Sequence, residues 1–149
     1  MTSQETTVPD VLEGVVQGLH HVAIVVHSIT ESAPLYTAAL GLASGEPEHV
    51  PDQKVNVLVL RAGTQRIELV EPAAEDSPVT GFLAKRGSGI HHLAWRVADC
   101  AAAIAALDAK GVRLIDHAPR PGSHGTRVAF LHPKATGGVL MELVEDPAG

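Results

Sequence analysis

Apolar and polar positions alternate with a period of two in several short segments, which are separated by turns rich in glycine and proline. The segment His-Val-Ala-Ile-Val-Val that begins at His21 has the length and the β-branched composition of a strand. Successive side chains of a strand point to opposite faces. We therefore expect Val22, Ile24 and Val26 on one face, under a helix, and His21 and Ala23 on the other face, free to line a cavity.

The same patterns predict the remaining elements. Further strands are expected at 53–60, 66–70, 92–97, 127–131 and 139–144, and 112–115 is short and apolar. Ser77 and Pro78 start a short helix over 79–86, and Asp99 caps a helix that runs to Lys110. The stretches 43–52 and 117–126 are expected to be loops, since they are rich in Gly and Pro.

A first helix is predicted between the first two strands. Ser28 and Glu31 match a capping box, and Gly41 ends the helical spacing of apolar residues. Pro34 has no N–H to donate in a helix that begins at Ser28. This favours a start of the regular helix nearer Thr30 or Ser32.

Two stretches of the chain occur twice in the same order. The letters GLHHVAIVV from Gly18 return as GIHHLAWRV from Gly89, and IELVEP from Ile67 returns as MELVED from Met141. A repeat of this kind predicts two copies of one structural unit. The chain is therefore expected to be one α+β domain over 1–149 with two tandem βαβββ modules, at about 18–72 and 89–146, joined by a linker with a short helix at about 73–88.

Composition restricts the class of protein. A chain of 149 residues suits one domain, and its single cysteine excludes an intramolecular disulfide framework, as expected in a reducing cytoplasm. The start Met1–Asp10 does not resemble a signal peptide, although Val8 to Val16 could fold back locally, and no apolar run is long enough for a membrane helix. The net charge of −6 argues against nucleic-acid binding. We expect a cytoplasmic protein with neither nucleic acid nor membrane as partner.

Each module opens with a histidine and closes with a glutamate inside an apolar strand. These residues are His21 and Glu68 in module one and His92 and Glu142 in module two. Two imidazoles and two carboxylates suit a divalent ion such as Co, Mn, Ni, Zn or Fe. The alternative is that the glutamates lie on the solvent side of half-exposed strands, but the repeat of both residues in register argues against it. His20 and His91 have the opposite parity and are expected at an edge or behind the ligands.

At these residues the chain resembles the vicinal oxygen chelate superfamily, whose members pair two βαβββ modules around one metal ion. The resemblance covers about residues 18–145. Its most specific parts are GSHGTRVAFLHPK from Gly122 and GGVLMEL from Gly137. Within the superfamily, these motifs are similar to those of the methylmalonyl-CoA epimerases.

This resemblance implies a curved mixed sheet around a metal site with His21, Glu68, His92 and Glu142 as ligands; some family members carry Gln where this chain has Glu68. It implies inversion at C2 of methylmalonyl-CoA through a metal-stabilised enolate, with proton transfer on both faces. Glu142 is the expected catalytic residue on one face. For the other face, some members have a glutamate where this chain has Val57, so the candidates are polar residues nearby, namely Glu48, Asp52 and Gln53.

The resemblance also implies contacts to the substrate and a homodimer. The phosphates of CoA need cations, and the expected substrate-binding residues are Arg127 and Lys134, together with Gly125 in a loop whose backbone N–H groups could bind a carboxylate. Arg120 and the pair Lys85 and Arg86 are further candidates.

Two other functions remain open from the sequence. The same scaffold carries glyoxalase-type isomerases and ring-cleaving dioxygenases, although a dioxygenase would need only two histidines and one carboxylate. A non-enzymatic protein that sequesters a small molecule needs no metal ligands, whereas all four ligand positions are filled in this chain.

Overall fold

The computed structural model describes residues 14–148. The expectation for Met1–Asp10 lies outside this part, and the fold-back expected over Val8 to Val16 lies largely outside it. In the described part, the strands are β1 (Gly18–Val25), β2 (Ala43–Ser44), β3 (Glu48–Val50), β4 (Val55–Ala62), β5 (Gln65–Pro72), β6 (Gly89–Arg96), β7 (Arg120–Pro121), β8 (Arg127–Leu131) and β9 (Met141–Glu145). The α-helices are α1 (Ile29–Pro34), α2 (Pro78–Arg86) and α3 (Cys100–Ala109). A π-helix follows α1 at Leu35–Ala39, and 3₁₀ turns occupy Pro51–Gln53, Ser123–Gly125 and Pro133–Ala135.

All nine of these strands belong to one mixed sheet. Its order is β2-β4-β5-β1-β6-β9-β8-β7, and β3 pairs with β4 beside this path. The first strands of the two modules, β1 and β6, run antiparallel to each other at the centre, and each is parallel to the last strand of its own module, β5 or β9. The predicted curved mixed sheet of an α+β fold is thereby confirmed.

Strand alternation separates the two faces of the sheet as predicted. Ile24 and Leu69 pack with Ile29 of α1 on one face, and on the same face of module two Leu143 packs with Ile104 of α3. The opposite face of module one carries Val25, Val57 and Val70, which form a separate buried cluster with α2. The sheet therefore has one face under α1 and α3 and another that surrounds an interior space.

The helices after β1 and β6 begin in the same way. The Cys100 N–H donates to Glu145 Oε1 at 2.7 Å, and the Ile29 N–H donates to Glu71 Oε1 at 3.3 Å. The first N–H groups of a helix have no partner within the helix, and its N-terminus carries a partial positive charge. The second glutamate of each repeated ELVE segment thus binds the helix of its own module to the end of the sheet.

The first helix differs from the prediction. It begins at Ile29 with Ser28 as N-cap and includes Pro34, so the expected start nearer Thr30 or Ser32 is wrong. Instead of a later start, the chain widens into the π-helix directly after Pro34, and the Thr37 hydroxyl donates to the Ala33 carbonyl. A π-turn is rare, but it is one of the ways in which a helix accommodates a local break in its hydrogen-bond ladder.

Three short segments also differ. The predicted loop 43–52 contains β2 and β3, which pair with β4, and the predicted loop 117–126 contains β7, which pairs with β8. The apolar segment 112–115 contributes only an isolated bridge from Leu114 to Leu131. Between residues 14 and 148, the helices are all too short or too polar to cross a bilayer.

Candidate active site

Two rows of side chains cross the centre of the sheet. In one row Ala23 of β1 pairs with Glu68 of β5 on one side and with His92 of β6 on the other. In the second row Ala94 of β6 pairs with His21 of β1 and with Glu142 of β9. Each alanine is fully buried between a histidine and a glutamate, and its small side chain leaves the space in front of it open.

A β-bulge lies directly before His21 in β1, and another lies directly before His92 in β6. The pairing of β1 with β6 skips His20 between the pairs Leu19–Trp95 and His21–Ala94, and it skips His91 on β6 between the pairs Ala23–His92 and Ile24–Ile90. A bulge adds one residue to a strand and re-aims the side chains around it. Both neighbours of the predicted ligands therefore line the interior, and the expectation of opposite parity is wrong for His20 and His91.

Three of the four predicted ligands converge on one point. His21 Nε2 lies 3.3 Å from His92 Nε2 and 3.4 Å from Glu142 Oε1, and His92 Nε2 lies 3.5 Å from the same oxygen. All three side chains are buried. These atoms form a nearly equilateral triangle that draws one ligand from β1, one from β6 and one from β9.

This triangle fits a single divalent ion. Adjacent ligands of an ion with bonds of about 2.1 Å are about 3.0 Å apart in octahedral geometry and about 3.4 Å apart in tetrahedral geometry. The observed edges of 3.3–3.5 Å agree with this range. Imidazole nitrogens and a carboxylate oxygen are also the donor types that such ions prefer.

The fourth residue, Glu68, lies beside the triangle. Its Oε2 is 2.7 Å from His21 Nδ1, the ring nitrogen that points away from His92. Although burial raises the pKa of Glu68, the hydrogen bond from His21 and the nearby histidines lower it more, so the net shift is downward. An ionised Glu68 in this position orients the His21 ring; its role as a direct ligand stays a prediction.

The charge at the site favours a bound cation. Glu68 and Glu142 are 5% and 4% exposed, and among the described residues their side chains meet histidines rather than Lys or Arg. Buried carboxylates are stable when they are paired or coordinate a metal. The donor set, its burial and its spacing therefore fit a divalent metal ion.

The histidines next to the ligands extend the site on both sides. His20 Nδ1 is 2.7 Å from His21 Nδ1, and His91 Nδ1 is 2.8 Å from His92 Nδ1. Burial lowers the pKa of His20, and burial together with His92 lowers the pKa of His91 to about 4. These contacts agree with the expected place behind the ligands, although strand parity did not predict that both residues would also line the cavity.

A cavity of about 320 Å³ opens in front of the triangle, a size in the range of small-molecule sites. One wall is apolar, with Val55, Val57 and Val70 from module one and Val79 from α2. The other side carries the polar side chains of Gln53, Arg120, Ser123 and Thr126. Val57 is buried in the apolar wall.

Other predicted residues lie away from this cavity. Arg127 is exposed at the start of β8, with Nη1 3.8 Å from Glu145 Oε1. Lys134 lies in the exposed turn after β8, and Gly125, with φ of +71°, faces Pro147. The structure does not bring these three residues to the cavity, and their contacts with a substrate stay predictions.

The candidates for a second proton-transfer residue are divided. Gln53 lines the cavity, but Glu48 and Asp52 do not. Glu48 Oε2 accepts from the His124 N–H at 2.7 Å, and Asp52 Oδ2 accepts from Arg120 Nε at 2.9 Å. These two carboxylates therefore connect module one to module two beside the cavity.

Comparison with known proteins defines the class first. Residues 20–130 match the family model described as the Glyoxalase/Bleomycin resistance protein/Dioxygenase superfamily, and the chain belongs to this superfamily. It is 41% identical to the ethylmalonyl-CoA/methylmalonyl-CoA epimerase of Cereibacter sphaeroides, over 84% of this chain and 95% of the relative.

Solved structures agree with this relationship. The methylmalonyl-CoA epimerase of Mycobacterium tuberculosis superimposes with a TM-score of 0.88 at 37% identity, over 93% of each chain. A variant of the Streptomyces coelicolor methylmalonyl-CoA epimerase in complex with 2-nitronate-propionyl-CoA gives 0.85 at 37% identity, over 89% of this chain and 96% of that chain. The chain is a member of the methylmalonyl-CoA epimerase family, whose members are isomerases.

Proposed function

We propose that this protein catalyses epimerisation at C2 of methylmalonyl-CoA. The observation that carries the proposal is the triangle of His21, His92 and Glu142 at the floor of an apolar cavity. The relatives named above are epimerases of this substrate class, and one of them binds a propionyl-CoA nitronate.

The proton at C2 of the substrate lies between a thioester carbonyl and a carboxylate and is weakly acidic. A divalent ion held by His21, His92 and Glu142, with Glu68 as the predicted fourth ligand, would act as a Lewis acid that stabilises the enolate. His20 and His91 contact the ligand histidines at their Nδ1 atoms and would restrict rotation of both rings.

Glu142 is our candidate for proton transfer on one face of C2. A carboxylate has two oxygens, so one can bind an ion while the other exchanges a proton with the substrate. Val57 supplies no such group on the wall of module one. The polar groups of the cavity outside the histidines and glutamates of the site include Gln53, Arg120, Ser123 and Thr126.

The walls of the cavity suit an acyl group with an alkyl branch. Val55, Val57 and Val70 present only methyl groups, so the alkyl substituent of C2 fits against them while the two oxygens face the histidines. Exclusion of water by these residues would also strengthen the electrostatic interactions at the reacting carbon.

The experiment is exchange at C2 in heavy water. Purified protein is stripped of metal, reloaded with Co, Mn, Ni or Zn, and given one epimer of methylmalonyl-CoA. We expect deuterium at C2 and formation of the other epimer only with metal. No exchange with any of these ions, in protein whose metal content is verified, would contradict the proposal.

The alternatives are tested in the same preparation. A glyoxalase-type isomerase would instead convert the glutathione hemithioacetal of methylglyoxal, and a binding protein would show metal-independent affinity for a small molecule without turnover. The predicted homodimer is tested by light scattering of the purified protein. A mass near 15.5 kDa would contradict it, since that is the mass of one chain.

A further inference from the structure

The interior face of the β4–β5 hairpin changes its chemistry along its length. Near the active site this face carries valines, including Val57 on β4 and Val70 on β5. Arg61 lies four residues beyond Val57, and Arg66 lies four residues before Val70, so both arginines share this face by alternation. The hairpin is therefore apolar where it borders the active site and cationic next to its turn.

The two arginines face each other directly. Arg61 and Arg66 are register partners in the antiparallel pair of β4 and β5. Like charges at directly opposed positions destabilise a sheet. Neither guanidinium forms an ion pair with a carboxylate among residues 14–148. The fold thus holds two positive charges together without an acidic partner in the described part of the chain.

These arginines line a second cavity of about 280 Å³. His124 lies in the same wall, and the acidic residue there is Asp146. Asp146 is already engaged, because its Oδ2 accepts from Arg96 Nε at 3.0 Å and its Oδ1 lies 2.8 Å from His20 Nε2. The cavity therefore has an excess of positive charge.

Arg66 is the more enclosed of the two residues. Its side chain is half-buried, whereas Arg61 is exposed beside the turn of the hairpin. The planar fork of a guanidinium matches the oxygens of phosphate or carboxylate.

We propose that the cavity between Arg61 and Arg66 binds an oxyanion of the phosphate class. A bound phosphate would accept from both guanidinium groups and remove the repulsion between them. Two sources of this chemistry exist: a phosphate group of a CoA thioester, in which case the site deepens the proposed function and rests on it, or free inorganic phosphate.

The second cavity adjoins the active site. Ser123 and Thr126 line both cavities, and Arg66 Nη1 lies 2.7 Å from His20 Nε2, whose ring reaches the active-site cavity. An anion bound by Arg66 would therefore sit one side chain away from the residues around the predicted metal.

The first test measures phosphate binding by calorimetry, without substrate. We expect wild-type protein to bind inorganic phosphate or pyrophosphate and Arg61→Gln to bind it about tenfold more weakly, since one charge-assisted contact is lost. Lys110→Gln removes one positive charge at the exposed end of α3 and should leave the affinity unchanged. In phosphate-free buffer, Arg61→Gln should also melt at the same temperature as the wild type or higher.

The second test separates the sources. If a phosphate of CoA occupies the site, Arg61→Gln raises KM for methylmalonyl-CoA about tenfold and leaves KM for the corresponding pantetheine thioester unchanged. If the occupant is free phosphate, KM is unchanged for both thioesters while calorimetry shows the loss. Absence of phosphate binding by the wild type together with an unchanged KM in the variant overturns the site. Absence of turnover with either thioester contradicts the epimerase proposal and leaves the calorimetric result intact.

Discussion

Ala23 and Ala94 determine how much space the predicted metal site has. Each is fully buried in a row between a histidine and a glutamate, and each is the smallest side chain in that row. A larger residue at either position would occupy the place in front of the sheet where the ligand atoms converge. The identity of these alanines thus bears on function as well as on packing.

Replacement of Ala94 by leucine tests this. We expect Ala94→Leu to lose bound metal and C2 exchange and to lower the free energy of unfolding by about 1–3 kcal/mol, the usual effect of overpacking. Metal analysis, the exchange assay and urea denaturation measure the three quantities. Ala101→Leu places the same side chain on the exposed side of α3 and should retain metal and activity. Full metal occupancy in Ala94→Leu would refute this view of the site.

Cys100 shows the effect of burial on a titratable group outside the site. Burial raises the pKa of its thiol to about 11, and Glu145 adds to the shift. The folded protein therefore keeps the proton at pH values where the unfolded chain begins to release it. The contribution of this thiol to the free energy of unfolding is therefore complete below its unfolded pKa near 9. It decreases as the pH rises from there towards 11.

Two measurements check this behaviour. A thiol reagent at pH 8 should modify Cys100 slowly in native protein and rapidly in denaturant, because the thiolate is the reactive form. Between pH 9 and 11, the free energy of unfolding should fall more steeply for the wild type than for Cys100→Ala. Rapid modification of native protein, or equal pH slopes, would show that the thiol titrates normally.

At the scale of elements, the repeat duplicates a helix contact as well as the pair of predicted ligands. Glu71 and Glu145 occupy equivalent places and bind the first N–H of α1 and of α3. The helix of each module is thereby fixed to the strand that carries the glutamate of the site, three residues earlier in the chain. Docking of the helices and placement of the ligands are coupled through β5 and β9.

Glu145→Gln should weaken this connection. The contact at Cys100 is short, and a carboxylate at a helix N-terminus stabilises it by hydrogen bonding and by charge, so we expect a loss of about 1 kcal/mol in the free energy of unfolding. Urea denaturation at low ionic strength measures it. Glu75→Gln removes an exposed charge from the loop after β5 and should have a much smaller effect; equal effects would mean that only net charge matters.

The sequence predicted most elements because their periods are clear. The strand 127–131 and the helices around 79–86 and 100–109 agree with the structure within two residues. The bulges at His20 and His91 could not be predicted, since a bulge is one unpaired residue and depends on the partner strand. The direct pairing of Arg61 with Arg66 could likewise not be predicted, because it depends on the register of the hairpin.

At the scale of the molecule, the candidate site joins the two modules. His21 comes from module one and His92 and Glu142 come from module two, so an ion bound by them connects β1 with β6 and β9. The repeat and the strand parity predicted this assembly of residues. They did not predict that Glu68 would contact His21 Nδ1, because the direction of a side chain within its face depends on its neighbours.

Metal binding should therefore stabilise the whole fold. At an ion concentration about 100 times the Kd, the native state gains about 2.7 kcal/mol, which corresponds to a rise of about 5–10 °C in Tm for a domain of this size. Differential scanning calorimetry with and without a chelator measures the shift. His92→Ala should show no shift, and exposed His117→Ala should behave as the wild type; a shift that persists in His92→Ala would place the ion elsewhere.

The antiparallel pairing of β1 with β6 has a geometric consequence for any molecule bound in front of it. A half-turn about an axis between β1 and β6 exchanges the pair His21–Ala94 with the pair His92–Ala23. The same half-turn exchanges Glu68 with Glu142. A carbon atom held near this local twofold axis would meet a histidine and a glutamate from either side. Such twofold-related surroundings suit a reaction in which similar groups approach one carbon from opposite faces.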